Sequence, residues 1–126
     1  APSDLRLKED ISDDVAGLSF INDLRPVTFK WKKEKDIPAE LKSHKADSEK
    51  RLINDKVNHG FIAQEVKTAL DTAGVSDFGV WHLDHVDNET QRIKKNMLIM
   101  PLVKAIQELS TENTALKSRI TALENA

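Results

Sequence analysis

Leu102-Val103-Lys104-Ala105-Ile106-Gln107-Glu108-Leu109-Ser110-Thr111-Glu112-Asn113-Thr114-Ala115-Leu116-Lys117-Ser118-Arg119-Ile120-Thr121-Ala122-Leu123 decides the architecture. Leu102, Ile106, Leu109, Asn113, Leu116, Ile120 and Leu123 are spaced 4, 3, 4, 3, 4 and 3. That rhythm predicts a long helix whose apolar seam is buried by other helices. With Ile106, Asn113 and Ile120 at the a positions, the four leucines occupy d. Glu112 and Lys117, and Arg119 and Glu124, then fall at g and e with opposite signs, as a parallel coil requires across chains. A polar Asn at one a position fixes register at a cost in stability. The spacing therefore predicts an oligomer. The other reading of the same pattern is a last amphipathic helix lying on its own domain.

Composition sets the frame around that helix. The 126 residues are one domain's worth, 32% charged and only 5% aromatic, so the core is expected to be small and completed by association. A net charge of −2 gives no bulk attraction to nucleic acid or to an anionic membrane, and neither is expected as a partner. No stretch approaches the ~20 apolar residues of a membrane span. The opening Ala1-Pro2-Ser3-Asp4 has no apolar run and predicts no signal peptide. With no cysteine, disulfides, thiolate metal sites and cysteine nucleophiles are excluded.

Working back from the helix, Asn96 to Pro101 should start it, since proline is best tolerated in a first turn. Trp81, Leu83 and His85 alternate with His82 and Asp84, which predicts a strand. Asp87-Asn88 offers turn chemistry, and Thr90 to Ile93 would return as the hairpin partner. A helix is expected from Ala63 to about Ala73 with Gly74 at its end, and Gly60 at a turn or close approach. Residues 32–58 hold many charges and few large apolar side chains. They read as a long solvated loop with a helical turn near Ala39 to Lys42. Val27, Phe29 and Trp31 alternate with polar residues as a half-buried strand. Before Pro26, a helix capped by Ser12 would bury Val15, Leu18, Ile21 and Leu24. Leu5 and Leu7 alternate with charges as a short extended segment. The fold class is thus α+β: a small antiparallel sheet, short helices and a long C-terminal coiled-coil helix. The organisation is a body over residues 1–100 and a coiled-coil helix over 101–126.

Four stretches carry a family resemblance. Ser3-Asp4-Leu5-Arg6-Leu7-Lys8 resembles the motif S-D-x-R-x-K that opens the intramolecular chaperone, or peptidase S74, domain. Pro26 to Trp31 resembles its first strand, Gly60-Phe61-Ile62-Ala63-Gln64-Glu65-Val66 its central motif, and Leu102 to Leu109 its closing helix. The matches fall in family order over nearly the whole chain, and residues 32–58 look like a variable insertion. The resemblance implies a trimeric assembly aid at the C-terminus of a phage tail fibre, neck appendage or tailspike. Such a domain aligns three chains while the upstream part of the same polypeptide folds, then cuts itself off. It would act in the host cytoplasm during virion assembly and leave the mature fibre.

The resemblance also places a nucleophile at Ser3 and its base at Lys8, in the motif at 3–8, with Pro2–Ser3 as the bond cut. The chemistry is sound, because a serine hydroxyl needs a neighbouring base and a neutral lysine can serve. The two residues could meet if the backbone between them doubles back. Arg6 would either raise the local positive potential or pair with Asp4. No cofactor is implied. His82 and His85, three apart on an expected strand, point to opposite faces and predict no metal site. His59 is expected as a packed turn histidine, Trp31 and Trp81 as core or interface, and Gln64 and Glu65 either as capping or chain-bridging groups or as solvated ones. The rival function is a coiled-coil oligomerisation module without catalysis. Ile at a with Leu at d favours two strands in isolated coils, where the family implies three. A zipper that binds DNA would need a basic helix ahead of the heptads, and residues 86–100 supply only Arg92, Lys94 and Lys95.

Overall fold

Ala16, Phe20, Val66, Ala69, Leu70, Val80 and Leu98 form one buried cluster, and the rest of the chain is arranged around it. A computed structural model of the chain describes residues 1–87 and 90–126. In chain order they form a 3-10 turn at Leu5–Leu7, helix α1 (Leu18–Asp23), strand β1 (Val27–Phe29) and a 3-10 turn at Glu34–Asp36. Strand β2 (Asn58–Gly60), helix α2 (Ala63–Thr72) and strands β3 (Trp81–Asp84) and β4 (Thr90–Ile93) follow. A 3-10 turn at Lys95–Leu98 then leads into helix α3 (Ile99–Glu124).

The α+β class and the long terminal helix are as expected, but the strands form two separate antiparallel pairs rather than one sheet. In the first, Val27 faces Gly60 and Phe29 faces Asn58. Pro26, which has no amide donor, and the entry into α2 hold that ladder to three residues a side. In the second, Trp81 faces Ile93 and Asp84 faces Thr90. Trp31 lies beyond β1, its ring edge-on to Phe29 at 5.0 Å. Two-stranded ribbons this short need other surfaces to lie on, and β3 and β4 pack on α2. Of the expected turn pair Asp87-Asn88, Asn88 lies outside the described residues.

Helix α1 begins five residues later than its sequence suggests. Ser12 does not cap it and Val15 is 78% exposed, while Phe20 is buried. The reason lies in its packing partner. The chain meets α3 at Gly17, where a Cβ would stand 1.9 Å from Glu108 Oε1 and 2.9 Å from Lys104 Cγ. A bare backbone lets the two segments come this close without moving α3's side chains, and α1 begins at the next residue. Helix α2 ends as expected. Gly74 takes φ +69° and donates to Asp71 O, and Val75 N–H donates back to Leu70 O at 3.0 Å, closing a Schellman motif.

Residues 32–58 are more ordered than a solvated loop. Lys33 bridges Arg51. Glu34 N–H donates to Lys50 O at 2.8 Å, and Leu52 N–H to Lys32 O at 2.9 Å, so the two legs of the excursion are stitched together. Leu41 N–H donates to Pro38 O, giving the turn expected near Ala39. Ile37 is buried, and Glu34, also buried, accepts from Ser48 Oγ at 2.7 Å. That bond holds the Glu34 carboxyl below its ordinary value.

Helix α3 is bound at its base and free beyond it. Pro101, in its first turn, and Ala105 are buried, facing α1. From Leu109 onward every residue is exposed. The apolar residues of the seam from Leu102 to Leu123 are between 45% and 75% exposed, and Asn113 is exposed among them. The helix therefore does not lay its seam on its own domain, because a different face, Leu98, Pro101 and Ala105, does the intrachain packing.

Candidate active site

Ser3 and Lys8 meet because the segment between them is a turn, not the extended stretch that its alternation suggests. Asp4 Oδ1 accepts the Arg6 N–H at 2.9 Å, which caps the 3-10 turn at Leu5–Leu7. Leu7 N–H then donates to Asp4 O at 3.0 Å and Lys8 N–H to Leu5 O at 3.1 Å. The backbone doubles back over these bonds, and Lys8 Nζ donates to Ser3 Oγ at 2.7 Å. This is hydrogen-bond contact between a hydroxyl and an amine five residues apart. Drawn with the lysine charged, the bond runs from nitrogen to oxygen. With the amine neutral, the same line carries the hydroxyl proton the other way.

Arg6 takes the second of its two expected roles. Its Nε donates to Asp4 Oδ1 at 3.0 Å and its Nη2 to Oδ2 at 2.8 Å. The guanidinium holds the Asp4 carboxyl below its ordinary value, and the carboxylate pushes Arg6 up in return. Residues 1–15 are exposed throughout, Pro2 among them, with Leu5, Leu7, Ile11 and Val15 between 64% and 78% exposed, and among the described residues no other element packs on the turn at Leu5–Leu7.

The other flagged residues do not join this site. Glu65 is a tie within the chain: Arg25 donates to both its carboxylate oxygens at 2.8 and 2.6 Å, fixing the exit of α1 to the start of α2. That pairing holds Glu65 below its ordinary value. No local pattern signals it, since Arg25 lies forty residues from its partner. His59 sits exposed in β2 opposite Thr28, not in a packed turn. His82 faces Arg92 across the second hairpin, and His85 lies in the turn past β3. Among the described residues no three His, Cys, Asp or Glu side chains cluster as metal ligands. Trp81 Nε1 donates to Gln91 Oε1 at 2.9 Å, which anchors its ring on the hairpin. A cleft of about 730 Å³, lined by Phe29, Trp31, Phe61, Ile62, His82 and Arg92 among others, opens between the strand pairs and α2. It does not include Ser3 or Lys8. Among the described residues no helix is long and apolar enough to cross a membrane.

A family model named Peptidase_S74, described as the chaperone of endosialidase, matches residues 3–75. The match opens on Ser3 and runs through α1, both strands of the first pair, the stitched excursion and α2. No curated protein matches the chain.

Proposed function

The chain belongs to the peptidase S74 family of endosialidase chaperones, and from that membership we propose that it is a C-terminal intramolecular chaperone with one self-directed cleavage. It brings three copies of a phage tail fibre, neck appendage or tailspike chain into register, then releases itself at Pro2–Ser3. The observation that carries the reading is the 2.7 Å contact between Lys8 Nζ and Ser3 Oγ at the start of the matched span. The exposed seam of α3 supports the assembly half, because a long apolar stripe in water needs a partner of the same pattern.

The reaction follows from the placement of Ser3. Its Oγ attacks the carbonyl carbon of Pro2, the residue just before it, as the Lys8 amine takes the hydroxyl proton. An Oγ–C bond forms within a five-membered ring. The C–N bond to Ser3 then breaks, with its nitrogen taking the proton from Lys8, and Pro2 is left as an ester on Ser3. Water attacks that ester, giving up a proton to the lysine, and Ser3 Oγ leaves with a proton returned to it. The products are a carboxylate at Pro2 and a free amine at Ser3. Each chain cuts itself once and uses no cofactor. The partners are two further copies and the upstream fibre of the same polypeptide, in the host cytoplasm while virions assemble.

The test is a precursor with upstream sequence joined ahead of Ala1. Mass spectrometry of the split product should find a fragment beginning at Ser3. A fragment beginning elsewhere overturns the assignment of the bond, and an uncut assembled precursor overturns the cleavage.

A further inference from the structure

We infer that Arg6 is a positioning residue of the self-cleavage, whose work is to keep the Asp4 carboxylate away from Lys8. The inference rests on the reading of Ser3 and Lys8 as nucleophile and base. The 3-10 turn needs an acceptor at Asp4 to satisfy the Arg6 N–H. An acidic residue there introduces a hazard, because a carboxylate on the same short turn is a stronger acceptor for an ammonium than a serine hydroxyl. A lysine paired with a carboxylate is held in its charged form and cannot take a proton. Arg6 removes the hazard by occupying both Asp4 oxygens in a two-point grip, at 3.0 and 2.8 Å. Lys8, whose partner among the described residues is the Ser3 hydroxyl, is thereby directed to Ser3. The charged groups that follow it in sequence are Glu9 and Asp10, and among the described residues no other element packs on the turn at Leu5–Leu7. Asp4 and Arg6 thus divide the labour: one shapes the turn, the other neutralises the side effect of its charge.

Substitution separates this role from plain support of the turn. Arg6→Ala keeps the cap but frees the carboxylate for Lys8. It should cut roughly threefold more slowly at neutral pH, with its rate profile displaced to higher pH, a loss kept small by solvent screening. Asp4→Asn retains a capping oxygen without charge and gives the reference rate for a turn with no carboxylate. Adding Arg6→Ala to Asp4→Asn should then cost nothing further in rate or pH profile, because the charge to be neutralised is gone. Arg6→Lys should recover part of the loss. Cleavage is followed in the upstream-joined precursor, with assembly and melting temperature recorded for every variant. An Arg6→Ala profile that is unshifted, or a double variant slower than Asp4→Asn alone, overturns the inference while leaving the dyad in place. Cleavage that persists in Ser3→Ala overturns the dyad reading and the inference with it.

Discussion

Ala105 is 3% exposed on α3, and Leu109, four residues on in the same helix, is 49% exposed. Between them the helix passes from the body of the domain into solvent. Everything N-terminal to the step is held by α1 through Gly17, Pro101 and Ala105, and everything beyond it has only the heptad seam to offer. The domain core and the exposed seam are therefore separable by mutation.

Light scattering or sedimentation equilibrium should give three times 14.2 kDa for the parent chain. Leu109→Asp should give a folded monomer of single mass. A carboxylate at a central d position would be buried against its copies at a cost of about several kcal/mol per charge, yet Leu109 is no part of the intrachain core. Near-parent circular dichroism with a third of the parent mass is the expected pair of results. A parent monomer or stable dimer would overturn the trimer, and a variant that keeps a trimeric parent's mass would show that α3 is not its contact.

Ser3→Ala should leave a full-length precursor that still assembles, and Lys8→Ala should cut far more slowly or not at all, because the hydroxyl loses its base. The parent rate should climb with pH, since only the neutral amine accepts a proton. Once assembled, the rate should not depend on concentration, because hydroxyl and amine lie on one turn of one chain. Gel analysis of a dilution series measures all three. A rate that falls on dilution of assembled precursor would place the two groups on different molecules.

Phe20→Ala should destabilise the body by about 3–5 kcal/mol, the range for emptying a buried phenylalanine site. Phe20 is 1% exposed and sits in the buried cluster with Val66, Ala69 and Leu70 of α2 and with Leu98, just ahead of α3. Denaturant unfolding of the Leu109→Asp background isolates this term from assembly. A change below about 1 kcal/mol would show that α1 is not part of the cooperative core.

The Glu49 carboxyl should titrate near 2. Lys35 and then Lys33 donate to it, and these bonds hold it down from 4.5 to about 2. Because its folded value is depressed, the tie it makes is present above the ordinary carboxylate range and is lost only as pH falls through about 2. Carbon-13 chemical shifts of the Glu49 carboxyl measure the midpoint directly. A midpoint near 4.5 would mean that the clasp across the excursion is open in solution.

What local pattern determines, the sequence showed. Helix α2 with Gly74 behind it, the hairpin 81–84 with 90–93, and the start of α3 near Pro101 all follow from residues within a few positions of each other. What distant partners determine, it did not. The close approach of Gly17 to Lys104 and Glu108, about ninety residues away, just ahead of α1, is recorded by no periodicity around Ser12. The stitching of residues 32–58 runs through backbone bonds such as Glu34 to Lys50, which a lysine-rich composition conceals. At the candidate site, the family resemblance named Ser3 and Lys8. The turn that joins them was written in Asp4, a short acidic side chain suited to capping its own backbone two residues on, but alternation of Leu5 and Leu7 suggested extension instead.

One consequence follows from the isolation of residues 1–15, which lie outside every packed element. Scission at Pro2–Ser3, as proposed, would remove no surface from the core and no bond from the ladders, so cut and uncut forms are expected to share one heat of unfolding.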